Sequence, residues 1–425
     1  MTYPEGSPMA PPRARDPVPA DGWQYCRREF LHSLLAASVL PAYALSDQDK
    51  PGSGVGFDPA TGAYHVHPNG RIQEALEAAS KDPANKTVYV HAGTYRPSAR
   101  GQALIWFNAR HDGVTLEGVG DVILTAANPD IADVRVPSYP AIVNHVVYFG
   151  DGVSRKTVMR GFKITGARNF TSGSGEKSPI ESDEIRKTAF FYADGGGIKL
   201  YARSYPTIEL VDVYANYTSP CGGGVSVEHL GEVQESVLFR NCTFRDNRTQ
   251  ITGSAFDLLH GSRATIENCL FEGNIANLGI DYVGMLGGAE YHAEHGSGAL
   301  TVFEGSRATV SRCTFTGNWN GVDDEGTGST YVDSIFWNNT LGGGISPGAR
   351  YELDIAAGAG VHGAFIHGEI NDLRRTIDKT ANTFDPPDPR FDAQFVPRAP
   401  EYARAGYRPM KPPVSSRRPA VRALR

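Results

Sequence analysis

Apolar and polar residues alternate between residues 237 and 340 in short stretches that repeat one pattern. Cysteine, phenylalanine and asparagine recur together in Cys242-Thr-Phe244-Arg-Asp-Asn247, Cys269-Leu-Phe271-Glu-Gly-Asn274 and Cys313-Thr-Phe315-Thr-Gly-Asn318. A fourth copy, Ser334-Ile-Phe336-Trp-Asn-Asn339, keeps the phenylalanine and the asparagine, and Asp212-Val-Tyr214-Ala-Asn-Tyr217 aligns as a fifth through its aromatic residue. Period-two alternation interrupted by Gly and Asn predicts short strands joined by tight turns.

The spacing of the copies indicates a solenoid. Successive repeat phenylalanines are 27, 44 and 21 residues apart. Units of this length are too short for paired-helix repeats, and they lack the spaced leucines of a leucine-rich repeat. Strand coils stacked about 4.8 Å apart would place Cys on Cys, Phe on Phe and Asn on Asn. An inward asparagine could then bond its amide to the turn backbone of its own coil and the next.

The Cys-x-Phe-x-x-Asn repeat resembles that of the right-handed parallel β-helix proteins, the pectin-lyase-like superfamily. The resemblance covers roughly residues 57–370. It implies an all-β chain, a right-handed parallel β-helix solenoid whose open end is covered by a short N-terminal capping helix. The helical spacing of Ile72–Ala79, followed by a strand over Thr87–Arg96, is similar to such a cap. The repeat is specific for this fold and not for any one activity.

The chain divides into four predicted parts. These are a signal peptide at 1–44, a linker at 45–56, the β-helix at 57–375 and a Pro-rich extended tail at 376–425. The paired Arg27 and Arg28, a short apolar segment and small residues ending at Ala44 resemble a bacterial twin-arginine export signal. The long leader before Arg27 leaves Met9 as an alternative start, and an amphipathic N-terminal helix is the alternative interpretation of the segment. Export implies a periplasmic or secreted protein.

Composition narrows the classes of partner. The chain has 425 residues, 48 Gly, 28 Pro and a net charge of -6. It contains no basic patch that would favour nucleic acid and no apolar run long enough to span a membrane. A single elongated solenoid is predicted to be a monomer.

The cysteines do not predict a disulfide framework. Cys242, Cys269 and Cys313 share one inward strand position, where a thiol packs as a small hydrophobic group. Cys221, beside Gly222-Gly-Gly224, is also interpreted as structural, and no metal site is predicted from these residues.

Two long insertions precede strands that open a coil, so both are expected at the same corner of the coils. The long segments Ala167–Asp194 and Asn277–Gly296 both precede strands that open a coil. Loops on a rigid scaffold are where binding and catalysis concentrate. The candidate residues at this corner form three groups. Asp323 and Asp324 are the first, and His292 and Glu294 are the second, with Tyr291 as a further binding residue. The third is the strand position shared by Lys199, Ser226, Asp257 and Thr301.

The chemistry of these candidates supports several readings. Paired carboxylates act as general acid and base on a glycosidic bond, and they also bind Ca²⁺, the one cofactor the sequence leaves open. A lysine in a groove can remove the proton beside a uronate carboxylate. The alternatives without a chemical role are a solvated turn for Asp323 and Asp324, a polar surface loop around His292, and a solvated Lys199.

The motifs of known enzymes in the superfamily that the chain resembles do not assign an activity to it. Of the polygalacturonase motifs only Asp323-Asp324 has a match, and the motifs of pectate lyases and pectin methylesterases are absent. The sequence therefore predicts a protein acting on an extended polysaccharide, as a glycoside hydrolase with Asp323, Asp324, Glu294 and His292 as catalytic residues or as a polysaccharide lyase. The alternative is a non-catalytic carbohydrate-binding or cell-envelope protein, with Tyr192, Tyr201, Tyr282 and Tyr291 lining its groove.

Overall fold

The chain winds into a right-handed parallel β-helix. The computed structural model describes residues 54–136, 138–168, 194–218, 221–231, 235–249, 252–259, 261–276, 298–340, 351–355, 359–368, 370–371 and 377–410. Within these residues each coil contributes one strand to each of three columns, here named sheets I, II and III. All pairings are parallel apart from the N-terminal β1–β2 hairpin and an isolated bridge between Ala127 and Ala141.

Sheets I and II are joined because two long early strands continue around a corner of the coil. The N-terminal strands are β1 (Val55–Asp58), β2 (Ala63–Val66), β3 (Thr87–Tyr95) and β5 (Thr115–Thr125). Sheet I continues with β7 (Val158–Arg160), β10 (Thr207–Glu209), β14 (Val237–Arg240), β18 (Arg263–Glu267), β21 (Arg307–Ser311), β24 (Thr330–Val332) and β27 (Gly360–His362). Sheet II contains β8 (Lys163–Thr165), β11 (Asp212–Tyr214), β15 (Thr243–Arg245), β19 (Leu270–Glu272), β22 (Thr314–Thr316), β25 (Ile335–Trp337), β28 (Phe365–His367) and β30 (Thr383–Phe384).

Sheet III forms the third face, and it carries the candidate site. Its strands are β4 (Gly101–Phe107), β6 (Val143–Phe149), β9 (Ile198–Tyr201), β13 (Val225–Glu228), β17 (Phe256–Leu258), β20 (Leu300–Val302), β23 (Val322–Asp324), β26 (Leu353–Ile355) and β29 (Ile370–Asn371). A short pair, β12 (Tyr217–Thr218) and β16 (Arg248–Thr249), follows sheet II in two coils.

The repeated residues form buried columns inside the helix, as the sequence predicts. The ring centroids of Phe271 lie 4.8 Å from those of Phe244 and 4.3 Å from those of Phe315. The Asn274 side chain accepts from the Asn247 backbone and amide and donates to the Phe244 carbonyl. Identical side chains thus satisfy one another from coil to coil, which explains why a buried turn keeps a polar residue.

The cysteines stack in the same way. The Cys242 backbone N–H donates to the sulfur of Cys269, and the Cys269 N–H donates to the sulfur of Cys313. Ser334 takes the next place and accepts from the Cys313 N–H at 3.1 Å. The four cysteines that the structure describes are buried and unpaired by disulfides.

The alignment of the fifth copy is wrong by one residue. Val213, and not Tyr214, stands beside Phe244, so that Asn216 falls in register with Asn247. The asparagine column therefore extends one coil further toward the N-terminus than the aromatic residue indicates.

The N-terminal end of the solenoid and part of its sheet II are covered. Helix α1 (Ile72–Ser80) packs its Ile72, Ala75 and Leu76 side chains into the core at the N-terminal end. Beyond two 3₁₀ turns, Ala109–His111 and Pro400–Tyr402, no further helix occurs in the described residues, and α1 is too short to cross a bilayer. The C-terminal segment 386–410 runs back along sheet II and is held there by hydrogen bonds between Arg408 and Asn268.

Candidate functional site: a polar column on sheet III

One position of sheet III is polar in six successive coils. The register of the strands aligns Lys199, Ser226, Asp257, Thr301, Asp323 and Asp354, a set named here the outer column. The residue before each of them points into the apolar interior, so the outer column faces away from it. Its side chains are nevertheless at most 2 % exposed. Burying charged groups is costly, and coil stacking does not require it, which marks this column as a functional candidate.

Lys199 lies at one end of the outer column in a buried ion pair. Its ammonium group donates to Glu228 at 2.9 Å and to the Ser226 hydroxyl at 3.2 Å. Glu228 follows Ser226 by two positions on β13 and therefore projects from the same face. Lys199 and Asp257 lie two rungs apart, roughly 10 Å at strand spacing, as the sequence predicts.

A second polar column lies at the turn that enters sheet III. Asp194, Cys221 and Thr252 each precede a glycine and stand five residues before an outer-column residue. Cys221 and Thr252 are paired across the coils, and the backbone N–H of Gly195 donates to the carbonyl of Gly222. We name these three residues the turn column.

Glycine after each turn-column residue permits the close approach of the two columns. Gly253 has a φ of 57°, and a Cβ there would lie 2.6 Å from the Asp257 Cβ. Gly222 has a φ of 64°, and its Cβ would lie 2.7 Å from that of Ser226. A larger residue would suffer both backbone strain and steric overlap.

Asp194, Cys221 and Asp257 meet where the columns converge, and we name them the acid–thiol cluster. One ligand atom from each lies within 4.8 Å of the others. Among the residues that the structure describes, Cys221 lies beside both carboxyl groups, but no well-formed hydrogen bond reaches an oxygen of Asp194 or Asp257. It is also the single group of three or more His, Cys, Asp and Glu residues within these ranges that could hold a metal ion.

The electrostatics of the acid–thiol cluster favour protonated groups in the absence of a cation. Burial raises the pKa of Asp257 to about 8, although the Lys199 ammonium opposes the rise. Burial raises the pKa of Asp194 well above its usual range, with Lys199 opposing and Asp257 adding to the shift. The pKa of the Cys221 thiol is raised by burial and then by the two neighbouring carboxylates. All three pKa values thus reflect lost hydration, to which nearby negative charges add.

Asp323 and Asp354 occupy adjacent rungs at the other end of the outer column. Their strands pair in register, which places the side chains roughly 5 Å apart on one face. The Tyr351 hydroxyl donates to Asp323 Oδ2 at 2.9 Å and orients that carboxylate. Like charges on facing positions destabilise a sheet, so this pair also calls for a functional explanation.

Asp324 projects in the opposite direction from its neighbour. It lies on the inner face with Val322, where it accepts from the Tyr331 hydroxyl at 2.9 Å and from the Gly326 N–H at 2.7 Å. Burial raises its pKa, and the hydrogen bonds from Ser329 and Tyr331 oppose the rise. The structure therefore places Asp324 on the inner face of sheet III, opposite to the outer column.

The remaining sequence candidates cannot be placed. His292, Glu294 and Tyr291 lie outside the described residues. Of the tyrosines considered for a binding groove, Tyr201 is buried at 1 % exposure, and Tyr192, Tyr282 and Tyr291 are also outside the described ranges.

Sequence reasoning missed several members of the site. The sequence pattern predicts a polar loop that ends at Asp194 and a structural role for Cys221, and Asp354 belongs to no repeat copy. A signal existed in the stretches Asp194-Gly-Gly-Gly, Cys221-Gly-Gly-Gly and Thr252-Gly-Ser-Ala, each followed by an apolar residue and then an outer-column residue.

Comparison with known proteins agrees with the fold. A family model described as right handed beta helix region matches residues 150–286. None of the curated proteins is significantly similar in sequence. Among solved structures, the crystal structure of pectate lyase Pel9A is similar with 15% identity and a TM-score of 0.38, over 75% of this chain and 79% of that chain. No residue role is transferred from it.

Proposed function

We propose that the protein hydrolyses glycosidic bonds of an extended polysaccharide along the outer face of sheet III. The observation that carries the proposal is the placement of Asp323 and Asp354 on adjacent rungs of the outer column. Adjacent rungs lie roughly 5 Å apart, a spacing that is compatible with the separation of about 5–5.5 Å between the carboxyl groups of retaining glycosidases. The outer column runs parallel to the axis of the solenoid, which is the direction in which a linear polymer bound to this face would lie.

The proposed roles follow from the contacts of the two carboxylates. Asp323, oriented by the Tyr351 hydroxyl, is the nucleophile, since a hydrogen bond to a carboxylate stabilises its charged form. Asp354 is the general acid that protonates the leaving oxygen and then acts as base toward water. The buried setting strengthens both effects because charges act most strongly where water is excluded. Asp324 has no part in this proposal.

The experiment is product analysis with a panel of neutral and uronate-containing polysaccharides, with and without Ca²⁺. New reducing ends without ultraviolet absorbance from an unsaturated uronate support hydrolysis. Asp323→Asn and Asp354→Asn should then each lower the rate by about 10²–10⁴-fold, the usual range for acid–base groups. Asp324→Asn is the matched control, because it changes the adjacent residue on the opposite face. Full activity in both outer-face variants contradicts the assignment.

A second candidate reaction is β-elimination, and it is favoured by the buried Lys199 in the same column. The Lys199 ammonium, paired with Glu228 at 2.9 Å, must first lose a proton before it can act as a base, which is why hydrolysis is preferred. Appearance of unsaturated products, lost in Lys199→Ala, would replace hydrolysis with elimination. Binding of a polysaccharide without any cleavage would instead support the carbohydrate-binding alternative.

Export is the second part of the proposal. Arg27 and Arg28, with the apolar segment that follows, support twin-arginine transport to the periplasm or medium. Replacing both arginines with lysine should leave the protein in the cytoplasm of a bacterial host, as measured by cell fractionation. Unchanged export of that variant contradicts the route.

A further inference from the structure

We propose that Asp194, Cys221 and Asp257 bind one divalent transition-metal ion of the Zn²⁺ type, with the Thr252 hydroxyl beside the fourth position. The site does not depend on the glycosidase proposal, because it uses none of Asp323, Asp354 or Tyr351. The ligand atoms lie within 4.8 Å of one another. A single ion between them would reach all three at bond lengths of about 2.0–2.3 Å after a small inward movement of the side chains.

The first argument is the unsatisfied bonding capacity of the cluster. Buried carboxylates are normally paired or hydrogen-bonded. Asp194 and Asp257 are both 0 % exposed, and within the described residues no well-formed hydrogen bond reaches any of their four oxygens, although Cys221 lies beside both carboxyl groups. Two bare carboxylates this close together also repel each other. A divalent cation supplies the missing partner and removes the repulsion at once.

The second argument is independent of the acids and comes from Thr252. Its hydroxyl is 0 % exposed and has no nitrogen or oxygen partner within the part of the chain that the structure describes. It stands beside the Cys221 thiol, in the next coil of the turn column. A fourth oxygen donor without a nitrogen or oxygen partner thus lies beside the sulfur of the cluster.

The third argument contrasts Cys221 with the stacked cysteines. The Cys269 sulfur accepts the Cys242 N–H at 3.4 Å and lies 3.3 Å from the Glu267 carbonyl. Cys313 has equivalent contacts, so both thiols are accounted for by the coil ladder. The Cys221 thiol instead has Asp257 and Thr252 as its polar neighbours. Because Cys221 lies in the acid–thiol cluster and not among the stacked cysteines, coil stacking does not account for its thiol.

The donor set decides which ion fits. Ca²⁺ takes six to eight oxygen ligands, whereas this cluster offers two carboxylates, one hydroxyl and a sulfur. A thiolate with carboxylates at low coordination number suits Zn²⁺ or Co²⁺. Coordination removes the thiol proton, so the elevated pKa of the free thiol is overcome by the bound cation.

Metal analysis of the full-length purified protein tests this inference. After incubation with Zn²⁺ and removal of free metal, elemental analysis should find about one ion per chain. Replacement with Co²⁺ should give a sulfur-to-cobalt charge-transfer band in the near ultraviolet. Cys221→Ser should abolish that band, and Asp257→Asn should weaken Zn²⁺ binding by at least about 100-fold, since changes outside the ligand shell already cost about 10–100-fold.

The matched control is Cys313→Ser, because the chain itself places Ser334 at the next position of the ladder. This variant should bind Zn²⁺ and show the cobalt band like the wild type. If Asp257→Asn fails to fold, the wild type alone decides through its melting temperature, which should rise on Zn²⁺ addition and fall after chelation. Absence of stoichiometric metal with an unchanged melting temperature overturns the site, as does an undiminished cobalt band in Cys221→Ser.

Discussion

Glu352 ends the column of buried asparagines. Its carboxylate accepts hydrogen bonds from the backbone N–H and the side-chain amide of Asn339, where a further asparagine would otherwise accept them. Burial raises the pKa of Glu352 to about 7, although the hydrogen bonds from Asn339 oppose the rise. A residue that terminates a structural ladder thus titrates near neutral pH.

We expect Glu352→Gln to remove a pH dependence of stability. Folding raises the pKa of this carboxyl from 4.5 to about 7, so the folded state holds the proton more tightly. The contribution is therefore complete below the unfolded pKa and is lost as pH rises through the folded pKa. Relative to Glu352→Gln, the wild type should lose up to about 3 kcal/mol of unfolding free energy between about pH 4 and about pH 8. Urea unfolding at several pH values measures this. A difference between the two proteins that stays constant over the range contradicts the role.

The residue scale is also where sequence prediction was least complete. The position of Lys199 and Asp257 in one column was predicted correctly, because their strands share a recognisable apolar neighbour. Asp194 and Cys221 were missed as site residues because only the stacking of coils brings them beside Asp257. Asp323 and Asp324 are adjacent in sequence, yet they face opposite sides of the strand, and the sequence left open which of them faces outward.

At the scale of elements, stacked aromatic rings define the interior of sheet II. Phe271 is fully buried between Phe244 and Phe315, with ring centroids 4.8 and 4.3 Å away. Phe315 in turn lies 5.1 Å from Phe336. Each ring is therefore packed on both sides by the neighbouring coils, and removal of a central ring should destabilise the protein most.

Phe271→Ala should be strongly destabilising. Removing the ring leaves a cavity in the middle of the stack, and Phe-to-Ala changes in cores cost about 3–5 kcal/mol. Phe271→Leu, which fills most of the volume, should cost less than about 1.5 kcal/mol. Urea unfolding followed by circular dichroism would show both effects. Equal losses for the two variants would mean that the stack is not tightly packed.

The repeat predicted these elements well where all three marker residues are present. In coils that carry Cys, Phe and Asn, these three residues define the strand register, and the stacked columns follow from that register. The coil with Asp212 and Tyr214 lacked the cysteine and phenylalanine, so an aromatic residue was aligned with Phe244 in place of Val213. The asparagine was the better guide because its buried amide needs partners above and below, whereas Val can replace Phe inside the coil.

At the scale of the whole molecule, the C-terminal segment covers part of sheet II. The Asn268 side chain accepts from the backbone N–H of Arg408 at 2.8 Å and donates to its carbonyl at 2.7 Å. Nearby, the Thr314 hydroxyl accepts from the Tyr407 N–H at 2.9 Å. The sequence predicted an extended tail here, but Asn268 as its anchor is visible only in three dimensions. One turn side chain thus ties together segments 140 residues apart.

Asn268→Gly should loosen the tail while leaving the β-helix folded. Asn268 has a φ of 50°, which glycine adopts without strain, so the variant removes the side-chain bond to Asn241 and the two hydrogen bonds to the tail. Their loss, about 1 kcal/mol each, should raise the undocked population of the tail by up to about 30-fold. Limited digestion with trypsin should then cleave faster at Arg398 and Arg404, with an unchanged melting temperature for the remaining solenoid. Arg312→Gly is the control, because Arg312 has a φ of 51° at the same turn of the next coil and makes no hydrogen bond to the tail among the described residues. Equal cleavage rates in both variants would show that Asn268 does not hold the tail.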